Sequence, residues 1–338
     1  MGKDLTSWAQ MPKATKIDET DAKILKALLR NSRTSFTEMA KDCKITVGAV
    51  RMRYKRLWKD GVINGEIMTV NPHALGFDYA VDLGIITNVE NEKEVTEFLK
   101  NKQYKHMTVI GPFGRYNVFA VAVFHNIQEL TEIMQDIKSH PKVKHVEGLI
   151  WAEAVHMEHM ENLIFEPLSE ILVSEKHQIP IINREKAKMD QLDKQIAKIL
   201  SVKARTPFKR IAEQLGVSTK NVIQRYKKLQ ETVLPTSTIT VNLKKLGFQA
   251  FAFFFIKVNN RSKIQEIYSQ LLGIPNLVVA FKTLGPFDLH GTVFLASFDK
   301  LFEKTEQIRR IPGVDSAEIY ITPAWEMWPP NLFAALLD

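Results

Sequence analysis

The stretch Val50-Arg51-Met52-Arg53-Tyr54-Lys55-Arg56-Leu57 returns 172 residues later as Val222-Ile223-Gln224-Arg225-Tyr226-Lys227-Lys228-Leu229. Val50, Tyr54 and Leu57 stand at helical spacing and mark one buried stripe; the rest forms a basic, polar face. Thr46 or Ser218 is placed to cap this helix, after a short break at Lys44-Ile45 or Gly216-Val217. Before the break, Ser35 caps a helix carrying Phe36, Met39 and Ala40, and Thr206-Pro207 supplies a cap and a first-turn proline in the second copy. Asp18 caps an earlier helix whose apolar face is Ile24, Leu25, Leu28 and Leu29. Two short helices, a tight break and a third basic helix predict a helix-turn-helix, present twice.

The repeat extends along the chain. Asp18/Asp190, Ile24/Ile196, Arg33/Arg205, Phe36/Phe208 and Ala40/Ala212 keep the same offset. With small shifts, Leu75-Gly76-Phe77 meets Leu246-Gly247-Phe248, and Gly111-Pro112-Phe113 meets Gly285-Pro286-Phe287. The chain is therefore a tandem duplication. The predicted organisation is a flexible arm (1–16), a winged helix-turn-helix (17–70), an α/β domain (77–160), a linker (161–188) with a short helix near Leu168–Lys176, a second helix-turn-helix (189–241) and a second α/β domain (248–338). Gly61-Val62-Ile63 and the alternating Glu66–Val70 read as a small wing; Val233-Leu234-Pro235 alters it in copy two.

Charge follows the same division. Residues 13–64 hold 13 Lys/Arg against 6 Asp/Glu, and residues 187–233 hold 11 against 4. Each segment is thus +7 in a chain of formal net charge +8, which leaves the remainder mildly acidic. Two matched basic segments suit a polyanion such as double-stranded DNA, although two solvated helical faces would give the same count. The 45% hydrophobic fraction is that of a globular protein, and no apolar run approaches the roughly 18 residues of a membrane span. No membrane partner is expected. The first 16 residues carry no apolar signal core, and the lone Cys43 rules out an intrachain disulfide and a four-thiolate zinc site, so a cytoplasmic location is expected.

With Val50, Tyr54 and Leu57 inward, the outward row of the third helix is Val47, Gly48, Arg51, Met52 and Lys55, starting from the cap Thr46. Copy two presents Thr219, Lys220, Ile223, Gln224 and Lys227 after Ser218. Arg or Lys reads guanine in the major groove and Gln reads adenine. Arg53, Arg56, Arg225 and Lys228 lie on the flanks, where a phosphate contact or an intramolecular ion pair is expected. Three-helix units of this kind also serve as dimerisation modules, so charge and the outward row, not the motif alone, favour DNA.

After Phe77 the period changes. Strands at Tyr79–Ile86, His106–Gly111, Tyr116–Phe124 and Val143–Trp151 alternate with helices at Glu92–Lys102 and Ile127–Ser139, and the second copy repeats the order. This βαββαβ pattern predicts a ferredoxin-like, four-stranded antiparallel sheet with helices on one face. The other face needs cover, which the second copy can supply in cis. The fold class is therefore α+β, a pseudo-dimer of two such units. The run Phe251-Ala252-Phe253-Phe254-Phe255 fits a strand buried on both faces.

Ile17-Asp18-x-x-Asp21-x-x-Ile24-Leu25, Val50-x-x-Arg53-x-x-x-Leu57-x-x-x-Gly61-Val62-Ile63 and Asn71-Pro72-x-x-Leu75-Gly76, joined to the α/β half, resemble the leucine-responsive regulator and asparagine-synthase regulator (Lrp/AsnC) family. The resemblance covers nearly the whole chain, twice. It implies a sequence-specific DNA-binding transcription regulator that assembles as a homo-oligomer and takes an amino-acid effector at its α/β domains. It also implies an effector loop of the form Gly-x-x-Asp, kept as Gly285 to Asp288, whereas copy one has Gly111 followed by Gly114 and Arg115, with no acid. Siroheme decarboxylases resemble the same architecture and give the rival reading, an enzyme; a weakly specific architectural DNA-binding protein is another. No phosphate loop, nucleophile elbow or metalloprotease spacing is found, so no enzyme, no cofactor and no metal site is expected. His156-Met157-x-His159-Met160 offers soft metal ligands but no firm third one. The apolar tail from Trp325 to Leu337 is suited to covering a sheet or to docking on another chain.

Overall fold

The computed structural model describes residues 14–100, 106–152, 163 and 185–338. Most of the arm, most of the linker and the His156–Met160 motif lie outside these residues. The end of the arm is tethered: the Thr15 amide donates to the Lys245 carbonyl (2.9 Å).

Copy one begins with α1 (Glu19–Arg30), α2 (Phe36–Cys43) and α3 (Val47–Lys59), followed by β1 (Ile63–Thr69). Copy two repeats them as α6 (Gln191–Val202), α7 (Phe208–Leu215), α8 (Thr219–Thr232) and β6 (Thr236–Val241). The first helix of each copy opens with a reciprocal capping box, Asp18 with Asp21 and Asp190 with Asp193. The α2–α3 break works because Lys44 adopts φ 55°, and Gly216 takes the same left-handed conformation in copy two. The strand read as a wing does not stand alone. β1 pairs antiparallel with β6, so each copy supplies one strand of a shared ribbon.

The α/β half of copy one comprises β2 (Tyr79–Thr87), α4 (Glu92–Leu99), β3 (Met107–Phe113), β4 (Tyr116–Phe124), α5 (Ile127–Ser139) and β5 (Val143–Trp151). Copy two supplies β7 (Ala250–Val258), α9 (Ile264–Leu272), β8 (Leu277–Leu284), β9 (Leu289–Leu295), α10 (Asp299–Arg309) and β10 (Val314–Pro323). Strand orders β5-β2-β4-β3 and β10-β7-β9-β8 are the ferredoxin-like order in both copies. The two sheets join edge to edge through Ile150 with Leu284 and Trp151 with Thr283, making eight strands in all.

Side chains of β7 divide by the period of two. Ala252, Phe254 and Ile256 pack against α9 and α10, while Phe251, Phe253 and Phe255 face copy one. Val81, Leu83 and Ile85 of β2 pack within copy one in the same way. The central core joins Phe119, Val121 and Trp151 of copy one to Phe251, Phe253 and Phe281 of copy two, and continues into both helix-turn-helix units. The sheet face without helices is thus covered by the other copy.

The tail covers a sheet in cis. Trp328 is buried and pairs through its backbone with Val241, and Asn331 Nδ2 donates to the Ser201 carbonyl (2.6 Å). Lys198 of α6 pairs with the carboxylate of Asp338. This strap therefore holds the copy-two helix-turn-helix against the sheets.

Candidate nucleic-acid interface

The third helix of each copy is fixed at its start by its cap. Thr46 Oγ1 accepts from the Ala49 amide (3.1 Å) and Ser218 Oγ from the Asn221 amide (3.2 Å), each contributing about 1 kcal/mol. These two side chains, expected at the DNA, serve the helix first. Val50 and Leu57, like Val222 and Leu229, are buried and set the rotation of the helix. Val47, Gly48, Arg51, Met52 and Lys55 then face solvent, with Met52 70% exposed. In copy two Lys220, Gln224 and Lys227 are exposed, while Thr219 and Ile223 are half-covered.

The flanking cations are engaged within the chain. Arg53 donates to Asp18 (2.6 Å) and Asp21 (2.8 Å), and Arg56 pairs with Asp21. Arg225 donates to Asp190 (2.7 Å) and Asp193 (2.7 Å), with Lys228 at 3.8 Å from Asp193. Asp21 and Asp193 are almost fully buried, so a counter-charge is required there. Burial pushes Asp18 upward, but the bond from Arg53 and the Asp21 amide outweigh it and hold the carboxyl below its ordinary value. The Asp193 amide and then Arg225 lower Asp190. By contrast Arg51, Lys55, Lys220 and Lys227 form no ion pair among the described residues. Arg53 and Arg225 therefore lock the third helix to the first, and the outward row remains available.

The sequence reading did not foresee what fixes one head against the other. Arg33 donates to the carbonyls of Ala204 and Thr206 and lies 4.2 Å above the Phe208 ring. Arg205 returns the contact to the carbonyls of Ser32 and Thr34 and lies 5.0 Å above Phe36. The signal was visible as the matched pairs Arg33/Arg205 and Phe36/Phe208. Periodicity could not reveal that each arginine crosses to the other copy. Together with the β1–β6 ribbon, these exchanges present both third helices from one body.

The expected effector residues lie at two seams between the copies. Gly111 is within β3, with its backbone registered against Phe119 of β4. Gly114 (φ 58°) lies under the Tyr320 ring, and Arg115 donates to Glu147 (2.5 Å). Gly285 (φ 144°) approaches the copy-one backbone so closely that a Cβ would stand 3.1 Å from the Gly148 carbonyl. Asp288 is buried; one oxygen accepts from the Val258 amide (3.0 Å) and the other from Arg261 Nε (2.7 Å). Each of these loops thus has a structural role at its seam. Among the described residues no group of three or more His, Cys, Asp or Glu side chains is placed to hold a metal ion, and no helix is long and apolar enough to cross a membrane.

Comparison with known proteins agrees with this geometry. Residues 17–64 match a winged helix-turn-helix DNA-binding family and residues 189–230 the AsnC-type helix-turn-helix domain. The chain is 34% identical over 120 residues to the HTH-type transcriptional regulator LrpA of Pyrococcus horikoshii, covering 36% of this chain and 84% of that one. It is 32% identical over 127 residues to the HTH-type transcriptional regulator Ptr1 of Methanocaldococcus jannaschii, covering 38% and 84%. Among solved structures, the siroheme decarboxylase NirDL shares the fold over 94% of this chain and 97% of its own, with TM-score 0.63 and 14% identity.

Proposed function

The chain belongs to the Lrp/AsnC family of helix-turn-helix transcriptional regulators, and from that premise we propose that it binds double-stranded DNA and regulates transcription as a covalent pseudo-dimer with two unlike recognition helices. The carrying observation is the outward row of α3 and α8, basic and without ion pairs, beside flanking cations already used for structure. Arg51 and Lys55 are assigned to base edges or phosphates in one half-site, and Lys220, Gln224 and Lys227 in the other. Because Arg51-Met52 is replaced by Ile223-Gln224, the half-sites differ. The rings of Phe298, the residue before α10, and Phe302, in its first turn, lie 5.6 Å apart, are exposed, and offer an apolar patch through which pseudo-dimers assemble. For an amino-acid effector, the copy-two loop supplies Gly285 and Asp288, with the exposed Arg261 as the group an incoming α-amino group displaces. We read the chain as a cytoplasmic regulator rather than an enzyme; its likeness to siroheme decarboxylase is one of fold.

Selection of bound sequences from random duplex DNA, at near-physiological salt, tests this. The wild type is expected to yield a motif with two unlike halves. Arg51→Ala with Lys55→Ala is expected to erase one half and weaken binding about 10- to 100-fold, since each good base contact contributes about 1–3 kcal/mol. Salt-sensitive binding with no enriched motif would replace this reading with an architectural one. Absence of DNA binding would overturn it.

A further inference from the structure

The two copies border a half-open cavity of about 90 Å³ that DNA reading does not use. Its walls are mainly aromatic, with Trp151, Phe253, Phe281 and Trp325 among them, and two ionisable groups enter it, Asp82 from β2 and His290 from β9. Both are buried. Asp82 Oδ2 and His290 Nδ1 lie 3.8 Å apart, too far for a direct hydrogen bond, and neither atom has a hydrogen-bond partner among the described residues. Buried polar atoms left in this way are unfavourable unless something completes them.

Divergence of the copies created this pair. In the register of the two sheets Asp82 corresponds to Phe253, and His290 to Phe119, so the acid and the imidazole occur once each, one from each copy. His290 Nε2 is 3.2 Å from Thr292 Oγ1. With the proton on Nε2, Nδ1 is an acceptor. Desolvation lowers His290 to about 3 and, against a smaller opposing effect of the Trp151 indole N–H beside the carboxyl, raises Asp82 to about 8, so at neutral pH the imidazole is uncharged and the carboxyl ionises readily once a cation arrives.

Two acceptors less than 4 Å apart, one of them a carboxylate, inside an aromatic box complement one cationic group carrying several N–H donors. Among the described residues no Lys or Arg lines the cavity, so a ligand carboxylate meets no counter-charge from them. We propose that this cavity is a binding site for a small primary ammonium ligand with a short apolar tail, whose nitrogen donates to Asp82 Oδ2 and His290 Nδ1. A cavity known to take the six carbons of benzene has roughly 150 Å³, so this one holds about four heavy atoms, and its open side leaves room for a fifth. One wall is the C-terminal strap, through Trp325, Trp328 and Leu332, so an occupant touches the segment that holds the copy-two helix-turn-helix.

Calorimetric and thermal-shift titrations of the full chain with isobutylamine, isobutanol and valine test the site. Isobutylamine is expected to bind with a dissociation constant of about a millimolar or tighter, and at least about tenfold more tightly than its isosteric alcohol or valine. Asp82→Asn is expected to weaken isobutylamine about tenfold or more while the alcohol is unaffected. Should that variant not fold, the wild-type ranking and His290→Phe decide. Equal binding of amine and alcohol, preference for valine, or neither heat nor stabilisation with the amine would overturn the proposal. No DNA is needed, so its failure leaves the regulator reading intact.

Discussion

Arg225→Met is expected to destabilise the fold by about 2–3 kcal/mol, seen as a lower denaturant midpoint with an unchanged slope. Arg225 is the main counter-charge of Asp193, which is buried at the capping box of α6; Lys228 approaches only to 3.8 Å. Removing the guanidinium leaves a buried carboxylate with its capping bonds and little else, and that orphaned charge dominates the cost. Arg53→Met should cost less, about 1 kcal/mol, because Arg56 still pairs with Asp21. The double change Arg225→Met with Asp193→Leu should recover part of the loss, since the unpaired charge is then gone. The pH dependence has a definite sign. Asp190 is lowered in the folded state, so its contribution is complete above its ordinary value of 3.8 and is lost as pH falls through the lower folded value. In acid unfolding, the stability gap between wild type and Asp190→Asn should therefore close only below about pH 4.

Gly114→Val is expected to destabilise by about 3–4 kcal/mol, combining overpacking with a left-handed backbone imposed on a β-branched residue. Gly114 has φ 58°, and a Cβ there would stand 2.3 Å from Cγ and Cδ1 of the Tyr320 ring, at the seam where the β3–β4 turn of copy one meets β10. The ring of Tyr320 also approaches that of Tyr116, 6.4 Å between centroids, so it has little room to retreat. Gly61→Ala provides the control. Gly61 has φ 69° but no atom within 4 Å of its Cβ position, so only the backbone cost of about 1–2 kcal/mol is expected. Equal losses at the two positions, measured by denaturant unfolding, would remove the seam contact as the reason for the glycine.

The sequence by itself determined the duplication, the three-helix units and the βαββαβ order, because these rest on local signals. Caps, apolar periods and turn glycines act within a few residues, and two copies allow each reading to be checked against the other. Val50 and Leu57 fixed which face of α3 turns outward for the same reason. Tertiary structure alone decided the rest. Arg53 could have met a phosphate or a carboxylate, and the buried Asp21 claims it. Arg33 and Arg205 look like surface cations until the chain brings the copies together and each reaches the other's carbonyls and aromatic ring. Gly114 and Asp288 read as parts of effector loops, but Tyr320 and Arg261, distant in sequence or on another turn, give them structural partners. Asp82 and His290 carry no local signal at all. They meet across the two copies, and what makes them a site is desolvation and the missing partner, which exist only once both sheets are packed.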